Sequence, residues 1–437
     1  MFETLKNAFK VKEIRKKIFI TLLILLVYRI GCYIPVPGLD SALFSDAVTN
    51  NNFLNLMNSV TGGALSSGTL FALGIGPYIN ASIIMQLLCV GIPALERLSK
   101  QGEDGKKKIS QYTRYLTLLL AIVQAIGIII NFGSQQNAIK SEYFFDQQWL
   151  AYVFMVIVYT AGASITMWLG ERITEYGVGN GISMIIFIGI VSSAGTAIIN
   201  KVSSAFGATF DFDPILQVII FCALTVIIFT LIVTVDLAER RIPVQYAKQV
   251  KGRKMYGGQS TVIPIKISGS GVMPLIFAFA IISFPDLIMG LFWPDSGSYK
   301  WYQANISGSG GTLSWLYVII LCLLIFAFSF FYAQLQFNPE DISKSIQQNG
   351  GFIPGIRPGK PTADYLKKIS NRITLFGAIF LSLVAFVPSF VVSFFASQDL
   401  VNVFSTTGIL IVVSVALEFD KQLQSQLMMK NYKGFLK

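Results

Sequence analysis

Long apolar runs recur along this chain, and their length is their most informative property. They cover roughly residues 18–34, 70–90, 114–132, 149–170, 182–200, 214–236, 272–292, 313–333, 372–392 and 400–418. Each approaches the ~20 residues an α-helix needs to cross about 30 Å of hydrocarbon. The pattern predicts an all-α polytopic membrane protein with ten transmembrane helices. One run breaks the pattern: "FALGIGPYINASIIMQLL" (71–88) carries Gly74, Gly76, Pro77 and Asn80. Glycine and proline weaken a helix, and an asparagine in lipid is costly. Just before it, "FLNLMNSVTGGALSSGT" (53–69) is weakly apolar, too short and too rich in Gly and Ser to span. Irregular backbone at membrane depth is tolerated only where protein buries it or where it lines a cavity. The segment therefore reads as a piece re-entering the protein from the outer face. Ile75 and Ile79, at i and i+4, lie on one helix face beside small residues. That arrangement suits a narrow apolar constriction, and ordinary helix packing through small residues accounts for it equally.

An even number of spans puts both termini on one side, and the distribution of cations tests the count. With the N-terminus in the cytoplasm, the inside segments hold 30 of the 34 Lys and Arg residues, and the outside loops hold only Lys140, Lys201 and Lys300. Arg29 falls within the first span. Much of the net charge of +11 is thus a topology signal. A basic stretch before the first apolar run imitates a signal peptide. No small-residue cleavage site follows it, and Arg29 spoils the lipoprotein-like box "RIGC" (29–32), so no processing is expected.

The absent chemistry narrows the function. The chain has no histidine, which removes Ser-His catalysis, His-ligated zinc and a histidine proton relay. "GVGNG" (177–181) is Gly-rich, but no phosphate-loop pattern exists. The span interiors are almost free of Asp, Glu and Lys, which ion-coupled pumps usually keep near the midplane. Cys32, Cys89, Cys222 and Cys322 are scattered and lack metal or disulfide spacing, so they are expected to be buried structural thiols. Neither an enzyme nor a cofactor is indicated.

Two cytoplasmic loops are too patterned to be mere connectors. In 237–271, "IPVQYAKQ" and "TVIPIKI" alternate and flank "KGRKMYGG", which predicts a basic hairpin. The loop 334–371 contains "NGGFIPGIRPGKPTADYL", a stiff, turn-rich tip presenting Arg357. Cations on rigid turns suit a phosphate backbone or an acidic protein partner. Solvated loops that only set orientation would carry the same charges.

Taken together, "YRIGCYIPVPG", "GGALSSGTLFALGIGPYINASIIMQLL", "KISQYTRY", "MWLGERITEYGVGNGIS", "ERRIPVQYAK", "GQSTVIPIKI", "FNPEDI" and "GGFIPGIRPGKPT" resemble the SecY family of bacterial protein-conducting channels. The motifs run in one order from the first span towards the C-terminal tail. The resemblance implies ten helices in two pseudo-symmetric inverted halves of five around a central pore, here 1–200 (spans one to five) and 201–437 (spans six to ten). The pore would be closed by a ring of Ile75, Ile79, Ile182, Ile186, Ile276 and Ile411. A plug on the outer side would run from about Met57 to Thr69, including Asn58, Ser59, Val60, Thr61, Gly62, Gly63, Ala64, Leu65 and Ser66. A lateral gate would lie between the spans starting "FALGIGP" and "GVMPLIF", with Asn80, Ser82, Gln86 and Gln124 as candidate polar residues near it; ordinary interhelical hydrogen bonds account for these four equally. Arg253, Lys254 and Arg357 match the family's cytoplasmic docking positions.

The same resemblance implies a passive conduit for unfolded secretory polypeptides, which also recognises signal sequences and releases membrane segments sideways into the lipid bilayer. Implied partners are the small subunits SecE and SecG, the SecA ATPase, the ribosome, signal peptides and nascent chains, and the implied location is the bacterial inner membrane. Val262 stands where the family often has His, which puts a docking contact from that side chain in doubt, and "SGSG" (268–271) replaces a more usual Asn-x-Ala, a minor change at the start of a gate helix. Two other classes stay open. A secondary transporter would bind a defined solute coupled to an ion. An intramembrane protease would need paired aspartates or a serine dyad within spans.

Overall fold

The computed structural model describes residues 2–40, 45, 57–58, 60–136, 147–205, 213–246, 249–251, 254–256, 260–267, 273–293, 296–306, 315–395 and 406–434. Ser59 and Arg253 lie outside the described residues. Among the described residues a helix lies within each apolar stretch. In chain order they are α1 (Phe2–Lys10), α2 (Lys12–Gly31), α3 (Gly76–Gly91), α4 (Pro93–Ser99), α5 (Glu103–Gln136), α6 (Gln148–Tyr176) and α7 (Gly181–Ala205). Then come α8 (Asp213–Leu237), α9 (Met273–Phe292), α10 (Gly297–Asn305), α11 (Trp315–Gln336), α12 (Pro339–Gln348), α13 (Lys360–Phe395) and α14 (Thr406–Gly434). Among the described residues, six helical stretches are long and apolar enough to cross a membrane, and the pair α3–α4, bent by 105° at Ile92, makes a seventh if taken as one. The remaining three apolar stretches coincide with α2, α9 and α14.

The chain divides into two compact units, 1–223 with 280–317 and 391–437, and 224–279 with 318–390. In the first unit α2 shows the logic of a helix in lipid. Ile14, Ile18, Thr21, Leu25 and Tyr28 form its buried stripe, whereas Phe19, Leu22, Leu23, Leu26 and Ile30 are exposed. A stripe at this spacing packs on protein, and an outer face this apolar suits hydrocarbon rather than water. α2 packs on α6 and α7, α5 lies between α3 and α6, and α14 packs on α7 and α1. At one end, Ala8, Ile14, Ile18, Val178 and Leu423 form a core joining α1, α2, the 177–181 turn and α14.

Three sequence expectations are corrected. The run 70–90 is not helical from its start: α3 begins at Gly76, with Pro77 in its first turn. Gly74 just before has φ +52, a left-handed conformation that glycine adopts without penalty. Proline fits a first turn, where its missing N–H would have no partner anyway. Helices α5 and α13 run well past their apolar stretches at their N-terminal ends, because polar turns continue a helix once it leaves hydrocarbon. The cysteines are all free, but only Cys32 is buried; Cys222 is exposed and Cys89 and Cys322 are intermediate.

The second unit carries the hairpin that alternation predicts. β1 (Glu239–Tyr246) pairs antiparallel with β4 (Ser260–Lys266), and β2 (Gln249–Lys251) pairs with β3 (Lys254–Tyr256). The second loop joins it, since β5 (Gly351–Phe352) adds to the other edge of β1, giving the order β4-β1-β5. Beneath the sheet Ile242, Val244, Ile265, Ile346, Ile353 and Leu366 form one apolar core. The two loops are therefore one folded module. Leu366→Ala should cost about 2–5 kcal/mol there. Amide exchange should rise in 239–266 while α6 keeps its protection, and an unchanged hairpin would detach the sheet from this core.

Candidate functional site

The segment before α3 is a compact knot held by its own polar side chains. Asn58 accepts from the Ser66 backbone N–H through Oδ1 at 2.8 Å, and its carbonyl accepts from Gly63 N–H and the Thr61 hydroxyl. Ser66 donates to the Gly63 carbonyl, and Thr69 to that of Ala64. Backbone bonds Val36 N–H to Gly68 O and Leu70 N–H to Ile34 O tie the knot to the chain leaving α2. Thr61, Ala64, Leu65 and Thr69 are buried. Leu65 enters a core with Val36, Leu73, Ala121, Met155 and Tyr159, against which Met57 also packs. The irregular backbone thus makes many of its hydrogen bonds within its own segment and is largely enclosed by protein, the condition under which such backbone is tolerated in a membrane.

Glycines make the seat. A side chain at Gly189 on α7 would strike the Val60 carbonyl, one at Gly76 the Met57 methyl, one at Gly74 the Thr61 methyl, and one at Gly162 on α6 the Leu70 carbonyl. Sequence reasoning read Gly74 and Gly76 as close-packing positions but did not find Gly189 or Gly162, since which glycine faces which neighbour is set by the tertiary arrangement. It also left Arg29 as a residue merely inside the first span, whereas the structure turns its guanidinium onto the Gly62 carbonyl and Ser192.

Ile75 precedes α3 and is buried, and Ile79 follows one turn later, half-buried. Ile182 is half-buried in the first turn of α7, and Ile186 is buried. Ile75, Ile182 and Ile185 all come up to Gly170: a methyl built there would lie 3.6 Å from Ile75 Cδ1, 3.4 Å from Ile182 Cγ1 and 3.4 Å from Ile185 Cδ1. Ile185, fully buried, belongs to this cluster and was not singled out from the sequence. Ile411 is buried on α14 in the same unit, while Ile276, in the first turn of α9, belongs to the second unit.

The tight turn 177–181 aims Ile182. Thr21 on α2 accepts from the Val178 N–H at 3.0 Å, Thr174 accepts from Gly181 N–H at 2.9 Å, and Asn180 Oδ1 accepts from Ile182 N–H at 3.1 Å. A side chain at Gly181 would strike the Gly170 carbonyl, so α6 and α7 approach closely at this turn. Arg114 on α5 donates to Glu171 on α6 at 2.8 Å, linking the "TRY" and "GERIT" motifs.

Of the polar residues placed near a gate, Gln86 donates to Ser82 at 3.4 Å along α3, and Asn80 is half-buried on the same helix. Gln124 is buried on α5 with its Oε1 unpaired, so it forms no hydrogen-bonded group with the other three through that atom. In the module of the second unit Lys254 opens β3. Arg357 is exposed on a turn whose glycines, Gly355 (φ +81) and Gly359 (φ +95), take left-handed conformations, and its carbonyl accepts from Thr362 at 2.8 Å.

A family model described as SecY matches residues 69–419. Protein translocase subunit SecY of Streptomyces galbus is 43% identical over 448 residues, covering 100% of both chains. Among solved structures, a SecY channel studied for the plug domain that stabilises its closed state and maintains a membrane seal matches with TM-score 0.65. It is 21% identical, over 94% of this chain and 92% of that one. Sec61 in a canine ribosome–channel complex matches with TM-score 0.60 and 19% identity, over 94% and 92%.

Thr21→Val keeps the shape of the side chain and leaves the Val178 N–H buried without an acceptor. It should lower stability by about 1–3 kcal/mol, read as an earlier thermal unfolding midpoint in detergent; a wild-type midpoint would mean the turn is held by packing alone.

Proposed function

We propose that this chain, which belongs to the SecY family of protein translocase subunits, works as a passive conduit whose partners supply the energy. It is a multi-pass membrane protein and a translocation channel subunit rather than an enzyme. We read it as ten spans with both termini in the cytoplasm of a bacterial inner membrane, arranged as inverted halves over 1–200 and 201–437.

The observation that carries the mechanism is the enclosed, self-satisfied knot at 57–70, seated on glycines beside Ile75. In this reading the knot is the plug, and Ile75, Ile79, Ile182, Ile186, Ile276 and Ile411 are the waist it covers. A constriction lined by aliphatic side chains dewets and blocks ions when empty, and it offers a passing polypeptide no group to bind. Two clients then separate on energy. A segment with about ten Leu-like residues gains roughly 3–6 kcal/mol on entering lipid, enough to draw it sideways through a gate near Asn80, Ser82, Gln86 and Gln124. A polar segment gains nothing comparable, so its export needs an external motor. SecA and the ribosome fit that need, docking on the module through Arg253, Lys254 and Arg357, with SecE and SecG as companions in the membrane. The plug domain of the similar SecY channel and the ribosome complex of Sec61 support this reading.

Ile186→Asn with Ile411→Asn should let resting membranes conduct ions, measured in planar bilayers; wild-type conductance would remove these two residues from the waist. Arg357→Glu, a charge reversal on an exposed turn, should slow motor-driven export several-fold while membrane insertion of the protein proceeds, and unchanged export rates would end the docking assignment.

A further inference from the structure

We infer that Arg29 is the latch of the closed plug: its single guanidinium ties the plug backbone to the frame, and opening has to break that tie. The inference rests on reading 57–70 as a plug. Arg29 stands in the last turn of α2, where the negative end of the helix dipole favours a cation. Its Nη1 donates to the Gly62 carbonyl at 3.4 Å. Its Nη2 donates to the Ser192 hydroxyl on α7 and, at 3.4 Å, to the Tyr33 hydroxyl. The guanidinium also lies 5.4 Å from the centroid of the Tyr33 ring, within cation–π range. One planar fork therefore joins α2, the plug and α7, which a lysine's point charge does less well.

The plug is shaped for this contact. Gly62 has φ +73, and any side chain there would collide with the Arg29 guanidinium. The same missing side chain would stand 3.1 Å from the Gly189 carbonyl oxygen, so Gly62 lies between the cation and α7. Gly189 and Ser192 are three residues apart and share a helix face: one admits the Val60 carbonyl, the other holds the guanidinium. When the plug leaves, a half-buried cation loses one of its acceptors. That loss favours the seated state without adding a barrier to the chain that follows, because the cation stays with the frame.

The molecule carries its own reporter. The buried Cys32 thiol contacts the Thr61 carbonyl at 3.9 Å, so its access to solvent measures whether the plug is seated. The experiment uses the full chain, purified with the subunits that accompany it and reconstituted in vesicles, with Cys89, Cys222 and Cys322 replaced by serine. Two quantities are read, the rate at which a membrane-impermeant maleimide labels Cys32 and the ion conductance. Arg29→Gln should label about tenfold faster and conduct more, the size of one lost charge-assisted hydrogen bond. Arg29→Lys should fall between it and wild type, and Ser192→Ala should shift both readings in the same direction by less. Gly189→Val, which forces the Val60 carbonyl off its seat, is the independent control. If Gly189→Val raises labelling and conductance but Arg29→Gln leaves both at wild-type values, the plug stands and the latch is overturned. Should Gly189→Val change neither reading, the plug reading itself fails and the latch with it. If Arg29→Gln does not assemble, wild-type labelling in Ser192→Ala overturns the latch.

Discussion

Backbone N–H and C=O groups cannot be left bare in hydrocarbon, and the most informative region of this protein is the one where no long helix satisfies them. Among the described residues before α3, 60–75 form turns and a short helical piece rather than a long helix. Asn58, Thr61, Ser66 and Thr69 answer the backbone of their own segment, and residues 34–36 answer that of 68–70. A segment satisfied in this way needs little from its surroundings. It can be held by shape and a few directed contacts.

The surrounding helices supply the shape. Gly74, Gly76, Gly162 and Gly189 each leave out a side chain where a carbonyl or a methyl of 57–70 comes close. Glycines in spans lower helix propensity, but these ones face the knot, and close contact over a buried area offsets the local cost. Beside the knot, Ile75 and Ile182 both come up to Gly170, and the turn before Ile182 is fixed by Thr21, Thr174 and Asn180. Apolar side chains around Gly170 are thus positioned by polar ones in the neighbouring turn.

The sequence made the apolar helices legible because apolar length is a direct physical requirement of the bilayer. The hairpin was legible too, since alternation over 239–246 and 260–266 is a local signal. The start of α3 was misplaced by six residues, because Phe71 to Ile75 are as apolar as the helix they precede. The third strand, Gly351–Phe352, is too short to announce itself, and only its pairing with β1 gives it meaning. Ile185 was invisible beside Ile182 and Ile186, as periodicity does not say which of several isoleucines faces a neighbouring glycine. Arg29 stood out as a lone cation within a span, yet its acceptors, Gly62 and Ser192, lie 33 and 163 residues away in sequence. No local pattern encodes a contact of that kind.

Helix α13 begins at Lys360, directly after the exposed turn that carries Arg357, and continues without a break to Phe395. At about 1.5 Å per residue it is a rod roughly 54 Å long. Anything gripping the turn holds the end of a lever: a tilt of about 5° would carry the far end sideways by about 5 Å, taking the rod as rigid. A force applied at the turn would then reach the apolar part of α13 through one covalent element, with no need for a chain of loosely coupled contacts.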